Sequence, residues 1–111
     1  MSSRPERDER RRFGRRRCRV HGWVHLNLRT RIPCVMTDYS VGGARLRVMQ
    51  SMVLPNRFYI CFDGFLGAIR CEVRHAVVSE VGIEFCEARG RSSVKSRQVS
   101  ELLEWLTYRD V

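Results

Sequence analysis

Between Val20 and Cys86 the hydrophobic side chains fall at alternate positions in short runs, each run ended by a turn. Ala44, Leu46 and Val48 alternate with Arg45, Arg47 and Met49, and Phe58, Ile60 and Phe62 alternate with Tyr59 and Cys61. A period of two places successive side chains on opposite faces of an extended chain, so each run buries one face of a sheet and wets the other. Val20, Val24, Leu26 and Leu28 predict a first strand, and Ile32 to Met36 a second, with Pro33 fitting an edge or strand start. The third, fourth and fifth strands follow at 44–48, 58–62 and from Ile69 through Cys71 and Val73 toward Val78. A turn at Ser79-Glu80 leads to a sixth, Val81 to Cys86, and Asp63-Gly64 reads as a hairpin turn between the fourth and fifth. The period then changes. Val99, Leu102, Leu103 and Leu106 follow helical spacing, with Trp105 on the margin of the stripe and Ser92 or Ser93 as candidate N-cap.

Six short strands and one helix in 111 residues leave room for a single domain. The pattern predicts an all-β fold, a small six-stranded antiparallel barrel at 19–90, with a C-terminal α-helix at 91–111 lying over an open end. Charges interrupt every apolar stretch, so no segment is long enough to span or insert into a membrane. Without an apolar leader the expected compartment is the cytoplasm. The five cysteines (Cys18, Cys34, Cys61, Cys71, Cys86) form no CxxC pair, which fits reduced thiols there. Cys18 and His21 are spaced like half a metal site with no second half, so neither a metal nor another cofactor is expected. His21, His25 and His75 sit in no nucleophile, zinc or phosphate-loop motif, and no catalytic residue is assigned.

Charge is concentrated at the start. The chain carries 21 basic against 12 acidic residues, and Lys95 is the only lysine. Nine of the arginines lie in residues 1–19, opposed there by Glu6, Asp8 and Glu9 alone. Like charges at this density repel, so residues 1–18 are expected to form a flexible tail in the absence of a partner. Arginine offers a planar fork that grips phosphate with two hydrogen bonds and stacks on base faces, so the partner expected is anionic.

Two motifs lie in order along the chain. Arg10-Arg11-Arg12-Phe13-Gly14-Arg15-Arg16 contains RxxxR as Arg11…Arg15, and Arg12…Arg16 fits the same spacing. Asp38-Tyr39-Ser40-Val41-Gly42-Gly43 is a DxSxxG sequence between the second and third strands. In an ordinary turn, Asp and Ser would bond local backbone and Gly would supply a positive φ. RxxxR before the first strand, then DxSxxG, then a closing Gly82-Ile83-Glu84-Phe85 run and a terminal helix, resembles the PilZ domain family across roughly residues 9–108. That resemblance implies a receptor for the second messenger cyclic di-GMP rather than an enzyme. Matched position by position, it implies Arg11, Arg15, Asp38, Ser40 and Gly43 as ligand-binding residues, with Arg10 just ahead of the motif as a further contact. Arg12 and Arg16 remain additional candidates, and one or two ligand molecules per chain are compatible with so many arginines. With no output domain visible, the signal is expected to pass to an unidentified downstream protein, the chain itself being a monomer or weak homodimer. The alternative is a basic β-barrel that binds RNA or DNA; it accounts for the charge and leaves DxSxxG unexplained, so nucleic acid is not the expected partner.

Overall fold

Alternation builds the body of the protein. The computed structural model describes residues 14–49, 54–86 and 97–109. Its strands are β1 (Arg16–His25), β2 (Arg31–Tyr39), β3 (Gly43–Val48), β4 (Arg57–Phe62), β5 (Ile69–Val77) and β6 (Glu80–Phe85), followed by helix α1 (Arg97–Arg109). All six strand pairs are antiparallel, and they close into a barrel in the order β1-β2-β3-β6-β5-β4. Sequence neighbours pair except β3 and β4, which pair instead with β6 and β1 and so stand on opposite sides of the barrel.

The inward positions are those the sequence marks. Val20, Val24, Met36, Leu46, Ile60, Ile69 and Val81 are at most 1% exposed and fill the interior. Burying one such side chain contributes about 1.5–3 kcal/mol, against about 0–1 kcal/mol for an exposed ion pair, so packing rather than the arginine-rich surface holds the barrel together. Burial pushes the Cys34 thiol up to about 12, with Asp63 adding to the effect, and it holds Cys71 well above its usual value. Both act as small buried hydrophobes.

Several boundaries differ from the sequence reading. β1 begins at Arg16, inside the expected tail, because Arg16 and Arg17 pair with Tyr39 and Asp38 of a β2 that is longer than expected. β1 ends at His25, and Leu28, placed by alternation on the buried face, is fully exposed. Asn27 causes this: its Oδ1 accepts hydrogen bonds from the Arg29 and Thr30 amides at 2.8 Å each, and the side chain replaces the ladder with a turn. Asp63-Gly64 is not a two-residue hairpin. Residues 63–68 form a longer loop with positive φ at Gly64 and Gly67, and it is shaped by Phe65 packing on Trp105 with ring centroids 5.4 Å apart. The tight connection is instead Val78-Ser79, where Ser79 takes φ 71°.

Helix α1 buries Val99, Leu102 and Leu106 and closes one end of the barrel, reaching the 63–68 loop through Trp105. Ser92 and Ser93, the candidate caps, lie outside the described residues, as do Arg10, Arg11 and Arg12.

Gly43 opens β3 where β6 passes close by. A Cβ there would collide with the Ile83 carbonyl oxygen and press on the Glu84 Cα, whereas a Cβ on Gly42 would meet nothing within 4 Å. Neither glycine has a left-handed φ, so the two differ only in space. Gly43→Ala is therefore expected to cost about 1–3 kcal/mol, the usual range for overpacking. For a domain of this size that lowers Tm by several degrees, about 4–8 °C per kcal/mol. Gly42→Ala should melt within a degree or two of the parent. Equal Tm values for the two variants in a calorimetric scan would overturn this account of Gly43.

Candidate functional site

The site is built by an irregularity in β2. Met36 pairs with Leu46 and Asp38 pairs with Arg45, so Thr37 is an extra residue with no partner on β3. Strict alternation from Cys34 and Met36, both buried, would turn Asp38 into the core. The bulge resets the parity, so that Tyr39 is buried and Asp38 faces out. The Thr37 hydroxyl closes the irregularity by donating to the Arg45 carbonyl at 3.4 Å. A second bulge falls directly opposite, between Arg17 and Val20 of β1.

Asp38 then receives two arginines. Arg15, one residue before β1, donates from Nη1 to Asp38 Oδ1 at 2.6 Å, and Arg45 Nη1 lies 3.5 Å from Oδ2. Arg45 also reaches Glu80, at the start of β6, at 3.8 Å. The Asp38 side chain is 14% exposed and that of Arg15 45%, so the carboxylate is sheltered while the guanidinium remains open to an incoming group. An ion pair this exposed contributes about 0–1 kcal/mol to stability, and its larger effect is to hold both side chains in place.

The turn that follows is short. The Ser40 amide donates to the Gly43 carbonyl at 2.7 Å, and the Phe85 amide donates to the Gly42 carbonyl at 2.8 Å, which pins the turn to the end of β6. Ser40 is half-buried, while Val41 and Gly42 are exposed. Val41 and Gly42 share a hollow of about 460 Å³ with Val99 of α1, so the turn and the helix meet at one end of the barrel.

Of the residues singled out from sequence, Arg15, Asp38 and Ser40 come together on this end of β1, β2 and β3. Arg16 enters the ladder opposite Tyr39, and it is Arg15 that reaches Asp38. Gly43 stands beside them, and its missing side chain makes room for β6. Arg10, Arg11 and Arg12 fall outside the described residues.

Sequence reasoning missed Arg45. It sits two residues beyond DxSxxG, and it reads there as the polar half of an alternating strand. Only the cross-strand register with Asp38 reveals it. Arg17 and Arg19 on β1 and Arg47 on β3 are exposed, so the outer surface around Asp38 is strongly cationic. Such a surface attracts dianions. Among the described residues no group of three or more His, Cys, Asp or Glu could hold a metal ion, and no helix is long and apolar enough to cross a membrane.

Comparison with curated proteins returns no match. Comparison with family models gives one that covers residues 9–105, from ahead of the RxxxR arginines through most of α1, and its description is PilZ domain. With the family model spanning nearly the whole chain, and with the closed barrel and terminal helix in place, this protein belongs to the PilZ domain family.

Proposed function

We propose that this protein is a cyclic di-GMP receptor that binds the dinucleotide over Arg15, Asp38, Ser40 and Arg45, with Arg10 and Arg11 closing on it from the leading segment. The observation that carries the reading is the 2.6 Å ion pair between Arg15 and Asp38. It joins the second arginine of RxxxR to the aspartate of DxSxxG, residues 23 positions apart in the chain. The chemistry is complementary. The ligand carries two phosphodiester charges and two guanines; arginines bond phosphates and the guanine O6/N7 edge and stack on purine faces. Asp38 accepts from the guanine N1/N2 edge or keeps an arginine oriented, and Ser40 offers a hydroxyl to a phosphate or base. Gly43 contributes by letting β3 and β6 close beneath the site. No group in this set is arranged as a nucleophile with its base, and the reading is of binding without turnover.

The signal then passes to a partner protein. The nine arginines of residues 1–19 repel one another, and a dianion that neutralises several of them favours a docked arrangement of residues 1–13 over the barrel end. A partner that distinguishes the two arrangements reads the ligand.

Isothermal titration with cyclic di-GMP tests the site. Arg15→Ala and Asp38→Ala should each weaken binding about tenfold to a hundredfold, the worth of a charge-assisted hydrogen bond of about 1.5–3 kcal/mol. Arg45→Ala should weaken it less, about threefold to tenfold, because Arg45 acts on Asp38. Arg16→Ala should be close to silent. If Arg12→Ala and Arg16→Ala are the damaging pair instead, the assignment to Arg11 and Arg15 is wrong. No heat of binding to the parent protein would end the receptor reading.

Amide hydrogen exchange tests the relay. Cyclic di-GMP should slow exchange across residues 8–13, while residues 16–25, already paired in β1, change little. Equal exchange across residues 8–13 with and without ligand would place the switch elsewhere.

A further inference from the structure

A second concavity is lined by neither Arg15 nor Asp38, and it shares only Arg57 and Arg70 with the hollow beside Val41 and Val99. It measures about 890 Å³ and runs between the β1–β2 hairpin tip and the outer face of β4 and β5. Leu26, Leu28, Phe58, Tyr59, Cys61 and Ala68 give it an apolar lining. Leu28 is fully exposed and Tyr59 half exposed, although both are large and hydrophobic. The polar lining is His25, Asn27, Arg57 and Arg70, with no carboxylate among them. Arg57 shares its charge with Glu72 at 3.8 Å, while Arg70 has no ion pair among the described residues.

We propose that this groove is a docking site for an acidic amphipathic segment of another protein, with apolar anchors on Leu26, Leu28 and Tyr59 and carboxylates against Arg57 and Arg70. Three observations favour that occupant. The barrel is closed, so a partner finds no free strand edge among the paired elements and must be recognised through side chains. The groove combines a tyrosine, arginines and aliphatic side chains, the composition of the centres of protein interfaces, and its charge is of one sign. Nucleic acid fits less well because base stacking needs several open aromatic faces. Trp23, on the neighbouring part of β1, is already covered by the Arg31 guanidinium 4.4 Å from its ring centroid, which leaves Tyr59 as the open ring lining the groove.

The proposal goes beyond the dinucleotide reading, and its test contains no dinucleotide. The probe is a fluorescein-labelled helical peptide of about 16 residues with leucines on one face and glutamates on the other, followed by anisotropy. Two control peptides replace the leucines by alanine or the glutamates by glutamine, and oligouridine serves as a nucleic-acid probe. The parent protein should bind the leucine–glutamate peptide at least about tenfold more tightly than either control. Leu28→Ser, Tyr59→Ala and Arg70→Glu should each weaken that binding about tenfold with Tm unchanged, since all three side chains are exposed. Amide resonances of His25, Leu28, Tyr59 and Ala68 should shift on titration. No binding of the peptide overturns the proposal. So does binding that survives all three substitutions, which would assign it to the arginines of residues 1–19. Tighter binding of oligouridine, lost in the same three variants, would also overturn it in favour of a nucleic-acid surface.

Discussion

The parity reset at Thr37 is the constraint on which the site depends. Tyr39 belongs to the core and Asp38 to the surface, yet both follow a buried Met36 on one strand. A regular ladder that keeps Met36 buried would bury Asp38 and expose Tyr39, and so would satisfy neither. Burying a lone carboxylate costs several kcal/mol, far more than the fraction of a ladder hydrogen bond lost at a bulge. Once Asp38 faces out, the register of β1 and β3 brings Arg15 and Arg45 to it without further adjustment. The ion pairs follow from the backbone and do not create it.

The same end of the barrel carries the turn, the end of β6 and the helix. The Gly42 carbonyl holds the Phe85 amide, and Val99 of α1 shares a hollow with Val41 and Gly42. A group bound over Ser40 therefore lies next to the elements that seal the core at that end. Leu102 and Leu106 are completely buried, so the helix is part of the folded body, and a displacement at the turn is felt by a well-packed neighbour.

Much of this was legible in the sequence, for a physical reason. Strands such as Ala44 to Val48 and Phe58 to Phe62 have one wet and one dry face, and that asymmetry is written directly into residue order. DxSxxG and the arginine tract announce their chemistry by residue type. What could not be read depends on contacts between distant parts of the chain. Thr37 falls just past the expected second strand until β3 is laid beside it, and Arg45 looks like a solvated strand residue until it faces Asp38. The 63–68 loop carries the hairpin signal Asp63-Gly64, but Phe65 finds Trp105 some 40 residues later and the loop lengthens to allow it. Gly43 reads as part of DxSxxG, and only the fold shows a further demand on it, the backbone oxygen of β6 that would meet any Cβ there.

Closure of the barrel also sets the order in which the protein can be made. β1, β2 and β3 are joined by short links, and they can pair as soon as they leave the ribosome. The ring cannot close until β6 exists, because Gly43 of β3 must find Glu84 about 40 residues downstream, and β4 must return to β1. Non-local pairings of this kind slow folding to the millisecond-to-second range typical of small barrels. During that interval the outer edges of the β1–β2–β3 meander are open, and a surface crowded with arginines on those strands repels a second copy at the stage when edge pairing is most dangerous. The charge that suits the finished protein to an anionic ligand thus also guards the unfinished one.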